Sequence, residues 1–335
     1  MKSALSIRGL LIAGLLSAAA TGALAQWKPT RPITLIVPWA PGGSTDQVTR
    51  VTAAELEKYL GQKIVVMNQP GASGSVGTKN AWEAPHDGYT WTAGGAKDLG
   101  TYKVLGMLDT SAKDWNLYLN VAHIAVVGVN ADTPYKTMPE LLAAMKARPG
   151  AISVATAGVN SSGHAAIEAL ARAAGVSYKH VTYDGGAPAA VAAASGETQV
   201  TTQLAAEQMD MIRAKKIRPL AVVGDKSLDI EGFGTVPPMS NFIPGFKEPI
   251  NYFGIFVPKG APPEVAQTLD KIWATEMSKN DALRKYAQSR GAIFAPAAGE
   301  EAQKAVFPAI QSYAWTQQAA GKAKVSPDTV GIPKP

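Results

Sequence analysis

Ile33-Thr34-Leu35-Ile36-Val37-Pro38-Trp39-Ala40-Pro41-Gly42-Gly43-Ser44-Thr45-Asp46 reads as a buried strand, a tight turn and the opening of a helix. The first five residues are apolar or β-branched without interruption, the pattern of a strand covered on both faces. Two prolines and two glycines then end the strand. Ser44 or Thr45 suits a helix N-cap, so a helix is expected from about Thr45 to Leu60. Glycines let a ligand come close to the backbone, and free amides at a helix start attract an anion. Two readings stand: an ordinary strand–turn–helix connection, or a seat for a carboxylate.

Outward from this stretch the same alternation repeats. Lys63–Met67, Ile124–Val129, Ile152–Ala155, His180–Tyr183 and Leu220–Val223 read as further buried strands, with helical patterns between them. Met138, Leu141, Leu142 and Met145 lie one helical face apart behind the capping sequence Thr137-Met138-Pro139-Glu140, and Ile167, Leu170, Ala171 and Ala174 repeat that spacing. Gly150 and Gly175 are placed to end these two helices. Strands alternating with helices predict α/β architecture with parallel sheets. From Pro262 onward helical patterns dominate, and the proline- and glycine-bearing end, Ser326 to Pro335, is expected to be poorly ordered.

Residues 1–25 carry Lys2 and Arg8, an apolar run from Leu10 to Leu16, and Ala23-Leu24-Ala25, an A-x-A cleavage pattern. They read as a signal peptide, with the mature chain starting near Gln26. The run is too short for a membrane span. There is no cysteine, which removes disulfides, thiol catalysis, thiolate metal ligands and a lipid-anchoring cysteine at the cleavage site. Roughly 300 mature residues bury a sufficient core without such staples. The formal charge is +6 and residues 1–25 hold two basic and no acidic side chains, so the mature chain carries 6 − 2 = +4. The basic residues are scattered, which argues against nucleic acid as a partner.

Two more junctions share the character of the first. Thr156, Asn160, Ser161, Ser162 and His164 lie in a polar stretch between a strand and a helix; Tyr183 and Gly185 lie in another. Ligands of open α/β sheets sit outside the carboxyl ends of strands. Three loops rich in neutral donors and poor in charge describe a binding cleft better than an active site. The four histidines, His86, His123, His164 and His180, form no zinc spacing, and no nucleophile elbow or P-loop occurs. No cofactor and no metal is expected.

The chain resembles the Bug (TctC-like) family, the periplasmic receptors of tripartite tricarboxylate transporters. The resemblance rests on Arg31 to Asp46, on Asn68-Gln69-Pro70-Gly71-Ala72-Ser73-Gly74-Ser75-Val76-Gly77, on Ala84-Pro85-His86-Asp87-Gly88-Tyr89-Thr90, on Tyr183-Asp184-Gly185-Gly186-Ala187-Pro188-Ala189, on Leu220-Ala221-Val222-Val223, and on Phe253-Gly254-Ile255-Phe256-Val257-Pro258, in that order. It implies a two-lobed Venus-flytrap fold closing on a small carboxylated ligand, a monomer that docks on transporter membrane subunits in the periplasm. The implied ligand contacts are Trp39, Pro41, Gly42, Gly43, Ser44 and Thr45 from the first lobe, and Thr156 to Ser162 and Tyr183 to Gly186 from the second. Ala96 and Gln203 join this set, with His164 as a hydrogen-bonding candidate whose competing reading is structural. The chain departs from the family at Gln199-Val200-Thr201-Thr202-Gln203, at Gly94 to Leu99 and at Tyr183-Asp184. Lys97 reads as a solvated residue, with pairing to a dianion as the other reading, and Arg213 is a further candidate cation.

The first lobe is expected to take residues 26–124 plus 229–335 and the second 125–228, joined by two crossing strands. A periplasmic sensor for a signalling partner and an exported enzyme are the rival functions.

Overall fold

The computed structural model describes residues 27–335, so the expected signal peptide lies outside the described residues. The chain opens with β1 (Ile33–Val37), α1 (Ser44–Leu60), β2 (Ile64–Asn68), α2 (Ser75–Glu83), β3 (Thr90–Gly95), α3 (Ala96–Thr101) and the long β4 (Trp115–His123). It crosses to a second body through Ile124 and Ala125. That body contains β5 (Val126–Asn130), α4 (Met138–Ala147), β6 (Ser153–Thr156), α5 (Ser162–Ala174), β7 (Lys179–Thr182), α6 (Gly186–Ser195), β8 (Val200–Thr201), α7 (Ala205–Arg213) and β9 (Ile217–Val222). A hairpin follows, β10 (Leu228–Ile230) with β11 (Gly234–Val236). The chain then returns as β12 (Asn251–Pro258), α8 (Pro263–Thr275), α9 (Asp281–Ser289), β13 (Ala292–Ala298) and α10 (Gly299–Ala319).

The first sheet has the order β13-β4-β12-β3-β1-β2, the second β7-β6-β8-β5-β9. Neither is wholly parallel as the alternation predicted. β1 runs parallel to β2 and β3, whereas β12 is antiparallel to β3 and β4, and β5 is antiparallel to β8 and β9. The strand that brings the chain back to the first sheet, β12 at its centre, is inserted antiparallel to both its neighbours.

Alternation along the strands feeds a core on each face. Ile33 and Leu35 pack with Val48 and Leu56 of α1 and with α8 and α9, while Ile36 faces Leu99, Val306 and Ile310. Val127, Val129 and Val154 bury against α4 and α5; Val126 and Ile217 bury against α6 and α7. The helix read from Thr45 begins one residue earlier, with Gly43 as N-cap and no side-chain cap of its own. Thr137 caps α4 as read, but α4 stops at Ala147, so Gly150 lies beyond its cap; Gly175 does cap α5 in the left-handed conformation.

Three expectations change. Ile230 and Val236 of the hairpin, and Met239 and Phe246 after it, pack into the cores of the second body, and Val222 bonds to Pro237, so the boundary expected at 228 falls short. The return lies near Glu248–Ile250, because the hairpin extends the apolar face of the second sheet. β13 was hidden in a tail that reads as helical, its alternation blurred by Ala and Pro. The last ten residues are docked: Ile332 is buried and Trp315 Nε1 donates to the Pro333 carbonyl at 2.9 Å.

β12 carries a bulge at Phe253/Gly254, and a Cβ on Gly254 would stand 2.0 Å from the Tyr118 carbonyl oxygen. Gly254→Ala is therefore expected to destabilise the protein by about 1–3 kcal/mol through overpacking. Urea unfolding checks this; an unchanged midpoint would show that β12 and β4 can part at no cost.

Candidate functional site

The starts of α1 and α5 approach each other from opposite lobes. Trp39, Gly43, Ser44 and Thr45 form one wall, Ala157, Ser161, Ser162, Gly186 and Gln203 the other, with Asp98 and Phe253 at the floor. All of these except Ser162 are buried. The space between them is nearly full, with room of only ≈ 20 Å³ for a water-sized body. What fills it is Glu207, from the first turn of α7. Its Oε1 accepts from the Ser44 amide at 3.1 Å and the Ser44 hydroxyl at 2.9 Å, while Oε2 accepts from the Leu204 amide at 3.2 Å. In the amide orientation that satisfies both neighbours, Gln203 Nε2 also donates to Oε2 at 2.9 Å. A carboxylate thus occupies the α1 start, as the helix dipole and open amides favour. Burial nonetheless pushes the Glu207 carboxyl upward, the Ser44 and Leu204 bonds opposing it and nearby Asp98 adding to the rise.

Gly42, at φ +80°, makes the turn that only glycine adopts readily, and its amide is spent on Asp46 of its own helix at 3.0 Å. Asp46 also accepts from Asn68 Nδ2 at 3.0 Å and pairs with Arg50 at 2.8 Å, which together hold its carboxyl below the usual range despite burial. The loop is therefore braced before any ligand meets it. Pro41 and Gly42 are exposed and stay outside the seat.

Several predicted contacts lie elsewhere. Thr156 Oγ1 bonds to His180 Nε2 at 2.6 Å, behind the cleft wall. Asn160 spans the lobes, donating to the Asp98 carbonyl at 3.0 Å and accepting from Thr101 Oγ1 at 2.8 Å. Ser161 caps α5 through the His164 amide. His164 is structural: Nδ1 meets the Tyr313 hydroxyl at 3.0 Å, the ring stacks on His180 at 4.5 Å, and burial with the neighbouring His180 pushes its pKa down to about 3. Tyr183 donates to Glu197 at 2.8 Å in an exposed contact, and Gly185 lies against Ala40. Ala96 is buried at the head of α3, two residues before Asp98 at the floor of the seat. Arg213 pairs with Asp210 and Glu231 at 3.7 and 3.5 Å at the edge of the second lobe.

Lys97 is not solvated. It is 2% exposed, lies 2.7 Å from Asp98, donates to the Asn160 carbonyl at 2.5 Å and sits over the Tyr313 ring at 4.1 Å. Burial lowers the Lys97 pKa and raises that of Asp98, so the pair is held by mutual contact against its own desolvation. Nothing in the spacing of Ala96-Lys97-Asp98 distinguishes this from a surface helix start; the return of α10 with Tyr313 covers it.

Further inter-lobe bonds close the cleft. Asn251 Nδ2 donates to Ser162 Oγ at 2.9 Å, Ala40 N to the Asp184 carbonyl at 2.9 Å, and Arg290 pairs with Asp210 at 2.9 Å. Beside the seat, sharing Ser162 and Leu204 with it, a larger cavity with room of ≈ 390 Å³ for a water-sized body lies against both chain crossings. Its walls are more apolar than polar, with Ile124, Ala166, Val223 and Ile250 among them, and Lys97, His123, Asp225, Lys226, Glu248 and Asn251 are among the polar members. His123 is 3% exposed and neither ring nitrogen has a partner among the described residues.

These features match known proteins. The model of the tripartite tricarboxylate transporter family receptor, TctC, matches residues 48–317. The chain belongs to the TctC family. It is 32% identical over 247 residues to the UPF0065 protein in the tcbD-tcbE intergenic region of Pseudomonas sp. (strain P51), covering 72% of each chain. It superimposes on the periplasmic binding protein BugD with a TM-score of 0.80 at 26% identity, covering 88% of this chain and 99% of that one. An R. palustris protein solved with adipate gives 0.78 at 25% identity, over 88% and 98%. The two-lobed periplasmic-binding-protein fold and the receptor class are those of the TctC family. Among the described residues no helix is long and apolar enough to cross a membrane, and no cluster of side chains fits a metal ion.

Asp98 and Phe253 at the floor of the seat were missed from sequence, and so was Glu207, which fills it. Glu207 matters most. Its one local signal is its place three residues after Leu204, where an acidic side chain caps its own helix; which lobe it would reach was not legible.

Two outcomes follow from this geometry. Tyr183→Phe is expected to leave ligand affinity within twofold of the parent in calorimetry, since its hydroxyl serves Glu197; a tenfold loss would return it to the site. His123, whose pKa burial lowers from 6.5 to about 3, is neutral when folded. Its contribution to stability is complete above pH 6.5 and is lost as pH falls from there toward 3. Between pH 7 and pH 5 this one group costs roughly 2 kcal/mol. Urea unfolding at both values should show that loss in the parent and a smaller one in His123→Phe; equal losses would refute it.

Proposed function

We propose that this receptor captures a small carboxylate-bearing metabolite between its lobes and delivers it to the membrane subunits of a tripartite tricarboxylate-type transporter. It does so as an exported, monomeric protein without chemistry of its own. The observation carrying this reading is the carboxylate already seated on α1. Ser44 offers an amide and a hydroxyl to one oxygen, and a loop of the opposite lobe holds the other. Charge-assisted bonds of this kind are each worth about 1.5–3 kcal/mol. The neighbouring apolar cavity supplies room for the ligand's body, so the donors orient the ligand while the walls select its bulk.

The mechanism is closure. Donors from each lobe bind a ligand carboxylate fully only when the lobes are together, so binding shifts the population toward the closed shape. The membrane partner then distinguishes loaded from empty by shape. The relative solved with adipate is consistent with this ligand class. Binding of the same ligand by a sensor would use the same cleft, and only the docking partner separates the two.

A thermal-shift screen of the mature protein against carboxylic acids and their primary amides tests the ligand class. Acids at a hundredfold excess over Kd should stabilise the closed form by about 2.7 kcal/mol, while the matching amides do not. Equal shifts for acid and amide, or none for any acid, would overturn the carboxylate reading.

A further inference from the structure

Glu207 occupies the place at the start of α1 that the proposed function gives to the ligand. We infer that Glu207 is a tethered stand-in for the ligand: its carboxylate latches the empty lobes together, and the incoming ligand must displace it. The inference rests on the carboxylate reading of the cleft.

Four observations support it. First, the contact joins the lobes: Glu207 belongs to α7 of the second, and Ser44 to α1 of the first. Second, its acceptor positions are filled by Ser44, Leu204 and Gln203, so no vacancy remains on it for a ligand donor. Third, the seat is shaped to a carboxylate. A Cβ on Gly186 would fall 2.0 Å from the Glu207 carboxyl carbon and oxygen, so that wall is bare backbone where the carboxylate lies flat. Fourth, the remaining space is too small for any ligand while Glu207 stays. A bound carboxylate and Glu207 cannot share the Ser44 donors, because two like charges there, with Asp98 alongside, would repel in a desolvated site.

The exchange is one carboxylate for another, so the seat's charge is unchanged and the released Glu207 regains water. The occupant also describes the replacement. Glu207 enters as an unbranched –CH2–CH2–COO⁻, its carboxylate lying where a side chain on residue 186 would stand. The ligand class is therefore a linear aliphatic acid with methylenes next to its carboxylate, in preference to an aromatic or α-branched acid. Affinity for such a ligand is reduced by the fraction of receptors that hold Glu207 in place, as expected when the binding-competent state is only partly populated.

The test uses the mature chain with Glu207→Ala and Glu207→Gln. Gln retains a carbonyl oxygen for the Leu204 amide and so keeps the start of α7, which circular dichroism and thermal melting check. Small-angle scattering without ligand should give a compact parent and a larger radius of gyration for both variants. Calorimetry with glutarate and adipate should then show at least tenfold tighter binding in Glu207→Ala, and benzoate should bind the parent at least tenfold more weakly than either. Variants that are as compact as the parent overturn the latch, as do variants that bind glutarate and adipate measurably but no more tightly than the parent does. Benzoate binding as well as the linear acids removes the ligand class alone. If no carboxylate binds parent or variants while the variants still expand, the latch stands and the carboxylate function fails.

Discussion

A desolvated carboxylate at the start of a helix sets the terms for the rest of this molecule. The α1 start offers donors that are costly to bury unmet, and a lone carboxylate is costly to bury without donors. Joining the two satisfies both, and because they come from different lobes their union closes the protein. The cleft, the hinge and the fold of each lobe serve to bring Ser44 and a carboxylate together or let them part. In the structure described here that carboxylate belongs to Glu207.

The scaffolding behind the seat is rigid by construction. Asp46 ties Gly42 and Asn68 to α1, and Asn68 reaches back to the Trp39 carbonyl, so the first loop is held from below. On the other side Ser161 caps α5, and Asn160 and Lys97 knit that loop to α3. Rigid walls bearing few charges suit a receptor, which gains from preorganised donors. His164, the histidine nearest the cleft loops, is locked between Tyr313, His180 and Glu168.

Much of this was legible in the residues. The strand–turn–helix from Ile33 to Asp46 was evident because burial of β1 on both faces leaves an unbroken apolar run, and Gly42 marks a positive φ. The polar loop from Thr156 to Ser162 was correctly placed before a helix. The individual roles within it were not legible, because Thr156, Asn160 and His164 are polar side chains whose partners come from residues 24 to 149 positions away. Lys97 and Tyr183 show the same limit in opposite directions: one is buried by a helix that returns late in the chain, the other bonds to Glu197 in an exposed contact.

Sequence by itself determined the α/β class, the strand-to-helix junctions and the chemistry of the α1 start, because these depend on local periodicity, turn residues and dipoles. Only the tertiary structure decided which groups meet there. Glu207 and Ser44 are separated by 163 positions, and no spacing rule links an acidic residue in the first turn of α7 to a helix start in the other lobe. The pairing exists because two chain crossings fold one sheet over the other, and an unmet helix start and a buried carboxylate each lose less free energy together than apart.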